Sequence, residues 1–164
     1  MNKDIVAQAA CVGRLLQLNF VTLTTAESCT GGGISAAITE IPGSSAWFER
    51  GFVTYSNEAK HAMLGVSLGT LSDHGAVSAA VVAEMAAGAC REAKADIGIA
   101  VSGIAGPDGG SEDKPVGTVW FGVHDVSGWV HQEQCRFAGE RGAVREQAVL
   151  HALNLIEQRL KVRH

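Results

Sequence analysis

Ile97-Gly98-Ile99-Ala100-Val101 is a short, almost wholly apolar run. A strand of this kind is buried on both faces, as in parallel sheets flanked by helices. The pattern around it is of the matching type. Residues 3–18 carry Ile5, Ala9, Val12 and Leu16 at helical spacing, and residues 79–94 carry Val82, Met85, Ala86, Ala89 and Ala93 on one face, with Ser78 as the N-cap. The alanines and Gly88 of the second helix imply close packing against a sheet or another helix. Strands are expected at 20–26, 46–55 and 97–101, and an antiparallel pair at 117–124 and 129–137. Further helices are expected from the Gly31-Gly32-Gly33 turn to about Thr39, from Asn57 to Gly65, at Leu68–Asp73 and over 142–160. This order predicts an α/β fold: a single-domain, three-layer α/β/α sandwich with a mixed sheet over residues 1–164. At 164 residues the chain can bury a substantial core.

Composition narrows the function classes. A net charge of −4 argues against a nucleic-acid binder that relies on bulk electrostatics. No apolar run approaches membrane-spanning length, and Met1-Asn2-Lys3-Asp4 carries no signal peptide. Cys11, Cys29, Cys90 and Cys135 are widely spaced, which in a chain without export signals reads as reduced thiols and a cytoplasmic location. His61, His74, His124, His131, His151 and His164 form no HxxxH or HxH pattern, so no metal site is expected.

The chemistry concentrates at Thr24-Thr25-Ala26-Glu27-Ser28-Cys29-Thr30-Gly31-Gly32-Gly33. An alternating apolar run leads in and a helical run leads out, so Ser28 and Cys29 sit at a strand C-terminus just before a helix. Ligands of open α/β sheets bind at that edge, and helix N-termini offer unpaired N–H groups. The same residues also suit a plain N-cap. The long irregular stretch from Ser102 to Pro115 begins on the same edge if its strand is parallel to the first. It reads as a binding loop or as a passive surface loop.

Serine needs an adjacent base to act as a nucleophile. No motif announces a Ser-His-Asp triad, although His74 lies in a strand-end region. Lys60, about one turn into the helix after Tyr55, can reach back across the strand ends to Ser28. It would serve as base if burial lowered its pKa, and otherwise reads as a solvated helix lysine. Tyr55 could hydrogen-bond it or relay its proton. Cys29 competes with Ser28, because a thiol at a helix N-terminus has a lowered pKa.

Four segments together resemble the CinA C-terminal family: Thr25-Ala26-Glu27-Ser28-Cys29-Thr30-Gly31-Gly32, Gly43-Ser44-Ser45-Ala46-Trp47-Phe48, the stretch from Gly51 through Tyr55-Ser56-Asn57-Glu58-Ala59-Lys60, and Ser102-Gly103-Ile104-Ala105-Gly106-Pro107-Asp108-Gly109-Gly110. The match runs in order from about residue 5 to 160. These 164 residues include no stretch resembling the molybdopterin-like N-terminal domain of full-length members, so a stand-alone member of the family is expected.

The resemblance implies hydrolysis of the carboxamide of nicotinamide mononucleotide to nicotinate mononucleotide and ammonia, a salvage step in pyridine nucleotide metabolism. It implies Ser28 as nucleophile, Lys60 as base and Tyr55 assisting, with no metal or organic cofactor, and it favours a homo-oligomer. On that chemistry, N–H groups at Gly31–Gly32 or at the Ser102–Gly103 corner would hold the oxyanion. Thr30, the Gly109-Gly110-Ser111 loop, and Arg141 or Arg145 would take the phosphate. A Ser-Lys amidase for another small amide and a non-catalytic nucleotide-binding module are the alternatives.

Overall fold

The computed structural model describes residues 1–163; His164 lies outside them. Helix α1 (Lys3–Asn19) starts at Asn2, whose side chain accepts the Asp4 and Ile5 N–H groups, and it buries the expected stripe of Ile5, Ala9, Val12 and Leu16. Its last turn closes on Phe20, which adopts a left-handed conformation with φ 56°. That closing turn delays strand β1 to Leu23–Glu27, later than the expected start at residue 20.

The chain continues through α2 (Gly33–Thr39), a 3-10 turn at Ser44–Ala46, β2 (Phe48–Val53), α3 (Asn57–Leu64), α4 (Leu68–His74) and α5 (Ala79–Ala93). It ends with β3 (Ile97–Gly103), β4 (Thr118–Asp125), β5 (Trp129–Arg136) and α6 (Arg141–Val162). The sheet order is β2-β1-β3-β4-β5. β1 runs parallel to both β2 and β3, whereas β4 is antiparallel to β3 and to β5. This is the expected single-domain α/β fold with a mixed sheet.

Helices α1, α2 and α6 pack together against one face, and α3, α4 and α5 lie on the other. Leu16, Ile34, Leu153 and Ile156 are fully buried in the first layer, and Leu64, Val82 and Met85 in the second. Each such side chain contributes about 1.5–3 kcal/mol by leaving water. The small residues of α5 have a specific use. A Cβ on Gly88 would overlap the Leu64 carbonyl at the end of α3, and one on Gly122 would overlap the Val82 carbonyl of α5. These two glycines bring α3 onto α5, and α5 onto β4, at near backbone contact.

Register then sets the functional edge. Leu23 pairs with Ile97 and Glu27 with Val101, so β1 and β3 end side by side. Ser28 and Ser102 therefore emerge as neighbours, as the expectation for two parallel strands requires.

Candidate active site

The corner after β1 is built around a residue that sequence reasoning passed over. Glu27 is fully buried. Its Oε1 accepts the Thr30 hydroxyl at 2.7 Å and the Ile34 N–H at 2.8 Å, and its Oε2 accepts the Ser35 N–H at 3.0 Å and the Ser35 hydroxyl at 2.9 Å. The start of α2 is thus capped by an internal carboxylate, which matches the positive end of a helix. An acid at the last position of a strand leading straight into a helix start is the signal that could have revealed it.

Gly31 (φ 57°) and Gly32 (φ 99°) make the left-handed turn that brings the chain from Ser28 into α2. The Gly31 N–H donates to the Ser28 carbonyl at 3.0 Å, and the Ser28 N–H to the Val101 carbonyl at 3.0 Å. Arg145 braces the corner from α6: its Nε donates to the Cys29 carbonyl at 3.0 Å and its Nη2 to the Thr30 carbonyl at 3.3 Å.

Lys60 comes from the opposite helical layer. Ser56 caps α3 by accepting the Ala59 N–H, and the first turn directs Lys60 inward, where it is 1% exposed. Its Nζ lies 2.9 Å from Ser28 Oγ, 2.9 Å from the Thr54 carbonyl and 3.1 Å from the Tyr55 carbonyl. Burial pushes the ammonium down to about 8. A neutral amine has two N–H bonds and one lone pair. In the charged form the third N–H donates to Ser28 Oγ, whose own hydroxyl reaches the Tyr55 carbonyl at 3.4 Å; in the neutral form, with both N–H groups on the two carbonyls, the lone pair is what remains for the serine hydroxyl.

Cys29 departs from expectation. Burial, above all, pushes its thiol up to about 11, with Glu27 adding to the rise. The helix N-terminus that was expected to acidify the thiol is already occupied by the Glu27 carboxylate, and Cys29 packs into the core.

A cavity of about 240 Å³ opens over the Ser28–Lys60 pair, and Tyr55, Ser102, Gly103 and Arg141 contribute to its lining. Cys29 and Ala105 also line it, and Ala76 and Val77, not singled out from the sequence, complete its apolar side. The Tyr55 phenol accepts from Arg141 Nη2 at 3.1 Å, while Arg141 Nη1 donates to the Gly106 carbonyl at 2.7 Å. Tyr55 therefore meets Lys60 through its main-chain oxygen. Thr30, Gly31, Gly32 and Arg145 do not line the cavity: the Thr30 hydroxyl, the Gly31 N–H and the Arg145 guanidinium are engaged within the corner. Gly109, Gly110 and Ser111 also lie outside the lining. Among the described residues no histidine lines the cavity; His74 ends α4, where its carbonyl accepts from Lys114 Nζ.

A buried serine–lysine pair lies beneath an open cavity, an arrangement whose chemistry suits acyl transfer. Residues 6–160 match the family model described as the CinA C-terminal domain. The chain is 58% identical over 158 residues to nicotinamide-nucleotide amidohydrolase PncC of Escherichia coli (strain K12), covering 96% of this chain and 95% of that protein. It is 52% identical over 150 residues to the Pseudomonas putida protein of the same name, covering 92% and 93%. The crystal structure of competence/damage inducible protein CihA from Agrobacterium tumefaciens aligns with a TM-score of 0.94 at 42% identity, over 98% of each chain. From one end of the sheet to the other, then, the chain belongs to the CinA C-terminal domain family.

Proposed function

We propose that this chain hydrolyses nicotinamide mononucleotide to nicotinate mononucleotide and ammonia, with Ser28 as nucleophile and Lys60 as general base. The observation that carries the mechanism is the 2.9 Å contact between the buried Lys60 Nζ and Ser28 Oγ. The substrate is supported by the likeness to the two amidohydrolases from E. coli and P. putida.

In the first step neutral Lys60 takes the Ser28 proton as Oγ adds to the carboxamide carbon. The negative charge moves to the former carbonyl oxygen. The Ser102–Gly103 corner and the Cys29 N–H, next in the chain after the nucleophile, are the donors we assign to it. The C–N bond then breaks, Lys60 returns its proton to the departing nitrogen, and ammonia leaves. Water adds to the ester with Lys60 again taking a proton, and Ser28 departs as the hydroxyl with the carboxylate released. Arg141, whose guanidinium reaches the cavity with donors to spare, is the residue we assign to the phosphate. Thr30, Gly31, Gly32 and Arg145 act as positioning residues that hold the nucleophile's corner, and Tyr55 sets the aim of the lysine through its carbonyl.

The reading includes a cytoplasmic homo-oligomer; light scattering on the purified protein checks the oligomer, and cell fractionation the location. Among the described residues no helix is long and apolar enough to cross a membrane. The decisive experiment measures ammonia release from nicotinamide mononucleotide and from a panel of small amides by the native chain, Ser28→Ala and Cys29→Ala. Loss in Ser28→Ala alone, with a Ser28-linked acyl adduct seen by mass spectrometry, supports the proposal. Full activity in Ser28→Ala refutes it.

A further inference from the structure

Strand residues two apart share a side of the sheet. On β5 this places Trp129, His131, Glu133 and Cys135 on one face, which is turned toward α6: Arg159 stacks over the Trp129 ring at 4.5 Å, and His151 meets Glu133 and Cys135 directly. None of these residues lines the catalytic cavity. His151 Nε2 is 2.6 Å from Glu133 Oε2 and 3.3 Å from Cys135 Sγ, and Cys135 Sγ is 3.9 Å from Glu133 Oε2. One imidazole nitrogen, one thiol sulfur and one carboxylate oxygen thus converge within 4.8 Å of one another.

A tetrahedral zinc ion holds such donors at about 2.0–2.3 Å, which sets them roughly 3.3–3.7 Å apart. The three separations here bracket that spacing, so small side-chain rotations admit an ion. The surroundings match a metal centre as well. His131 Nε2 lies 2.7 Å from the other Glu133 oxygen, which orients the carboxylate as outer hydrogen bonds do at metal sites. Phe121 and Phe137 pack on the His151 ring, with centroids at 4.6 and 6.0 Å, and fix its direction. Glu133 is 32% and His151 26% exposed at the side chain, which leaves an entry path and room for water as fourth ligand. The spacing of histidines along the chain carries no metal pattern because the set is assembled from strand alternation and a helix that follows later.

We propose that Glu133, Cys135 and His151 form a binding site for a divalent transition-metal ion of the zinc type, which clamps the edge strand β5 to α6. Mixed nitrogen, sulfur and oxygen donors select zinc or cobalt over magnesium or calcium. Binding displaces the Cys135 thiol proton to solvent. The site is independent of the amidase reading.

The test titrates chelator-treated protein with Co²⁺. One equivalent is expected to give visible bands of four-coordinate intensity and a near-ultraviolet thiolate-to-cobalt charge-transfer band. Zn²⁺ should abolish both, and excess Mg²⁺ should leave them unchanged. Cys135→Ser should lose the charge-transfer band. His131→Ala should keep that band while its affinity falls about 10–100-fold. Glu133→Gln provides a second, nearly isosteric change of a ligand and should weaken Co²⁺ binding, and a native far-ultraviolet circular dichroism spectrum with a cooperative melt reports that each variant has folded. A wild-type protein that gives only the spectrum of hydrated Co²⁺ overturns the proposal. So does a charge-transfer band that persists in Cys135→Ser, which would move the thiolate to another cysteine.

Discussion

The ionisation of one buried amine sets the pH dependence of the proposed reaction. Lys60 is charged below about 8 and must be neutral to accept the Ser28 proton. Roughly one-hundredth of the lysine is neutral near pH 6, about one-tenth near pH 7, and about nine-tenths near pH 9. The value of kcat/KM for nicotinamide mononucleotide should therefore rise about tenfold per pH unit below neutrality and level off near pH 9. Initial rates of ammonia release across that range give the profile, and a flat profile refutes the lysine base. The same group makes a second prediction through stability. Its folded value of about 8 lies below the ordinary lysine value of 10.5, so between those two values the unfolded chain binds more protons. Stability then rises with pH across that window, by about 3 kcal/mol in total, and the penalty is fully present below it. Denaturant titrations should show this rise in the native chain and not in Lys60→Met. Lys60→Arg should be inactive at every pH, because a guanidinium does not deprotonate.

Glu27→Ala removes the acceptor of two α2 N–H groups and two hydroxyls; we expect a loss of about 2–4 kcal/mol in urea unfolding, and a change below about 0.5 kcal/mol would contradict the capping role. Arg141→Ala should raise KM for the mononucleotide by about tenfold or more with a smaller effect on kcat, and should leave the riboside unaffected; equal losses on both substrates would remove Arg141 from the phosphate. Gly88→Ala drives a methyl into the Leu64 carbonyl; about 1–3 kcal/mol of stability should be lost, together with activity, as α3 shifts and carries Lys60 with it.

The fold was legible where local patterning and burial coincide. The α1 stripe, the Ser78 cap of α5 and the apolar β3 run each carry their own signal, and all three are where the spacing puts them. Boundaries were less legible. β3 continues to Gly103 because β4 supplies a partner in Val119, and no local pattern encodes a partner. Ser28 and Lys60 could be named from motifs, but their separation could not, since it depends on α3 being drawn onto α5 at Gly88. Glu27 escaped notice because a carboxylate is expected to be exposed, although its place between a strand end and a helix start hinted at the four groups that compensate its burial. The lowered pKa expected for Cys29 failed because burial, above all, raises the thiol, and the Glu27 carboxylate beside it adds to the rise.

The lysine is aimed by the carbonyls of residues 54 and 55 rather than by their side chains. Any amino acid that keeps the local backbone path reproduces those oxygens, so drift at these two positions leaves the proton acceptor where it is. Tyr55 is then free to answer to a different pressure, through the phenol that touches Arg141 at the cavity mouth. Relatives could exchange that aromatic ring to suit another leaving group or another sugar while inheriting the same reactive centre unaltered.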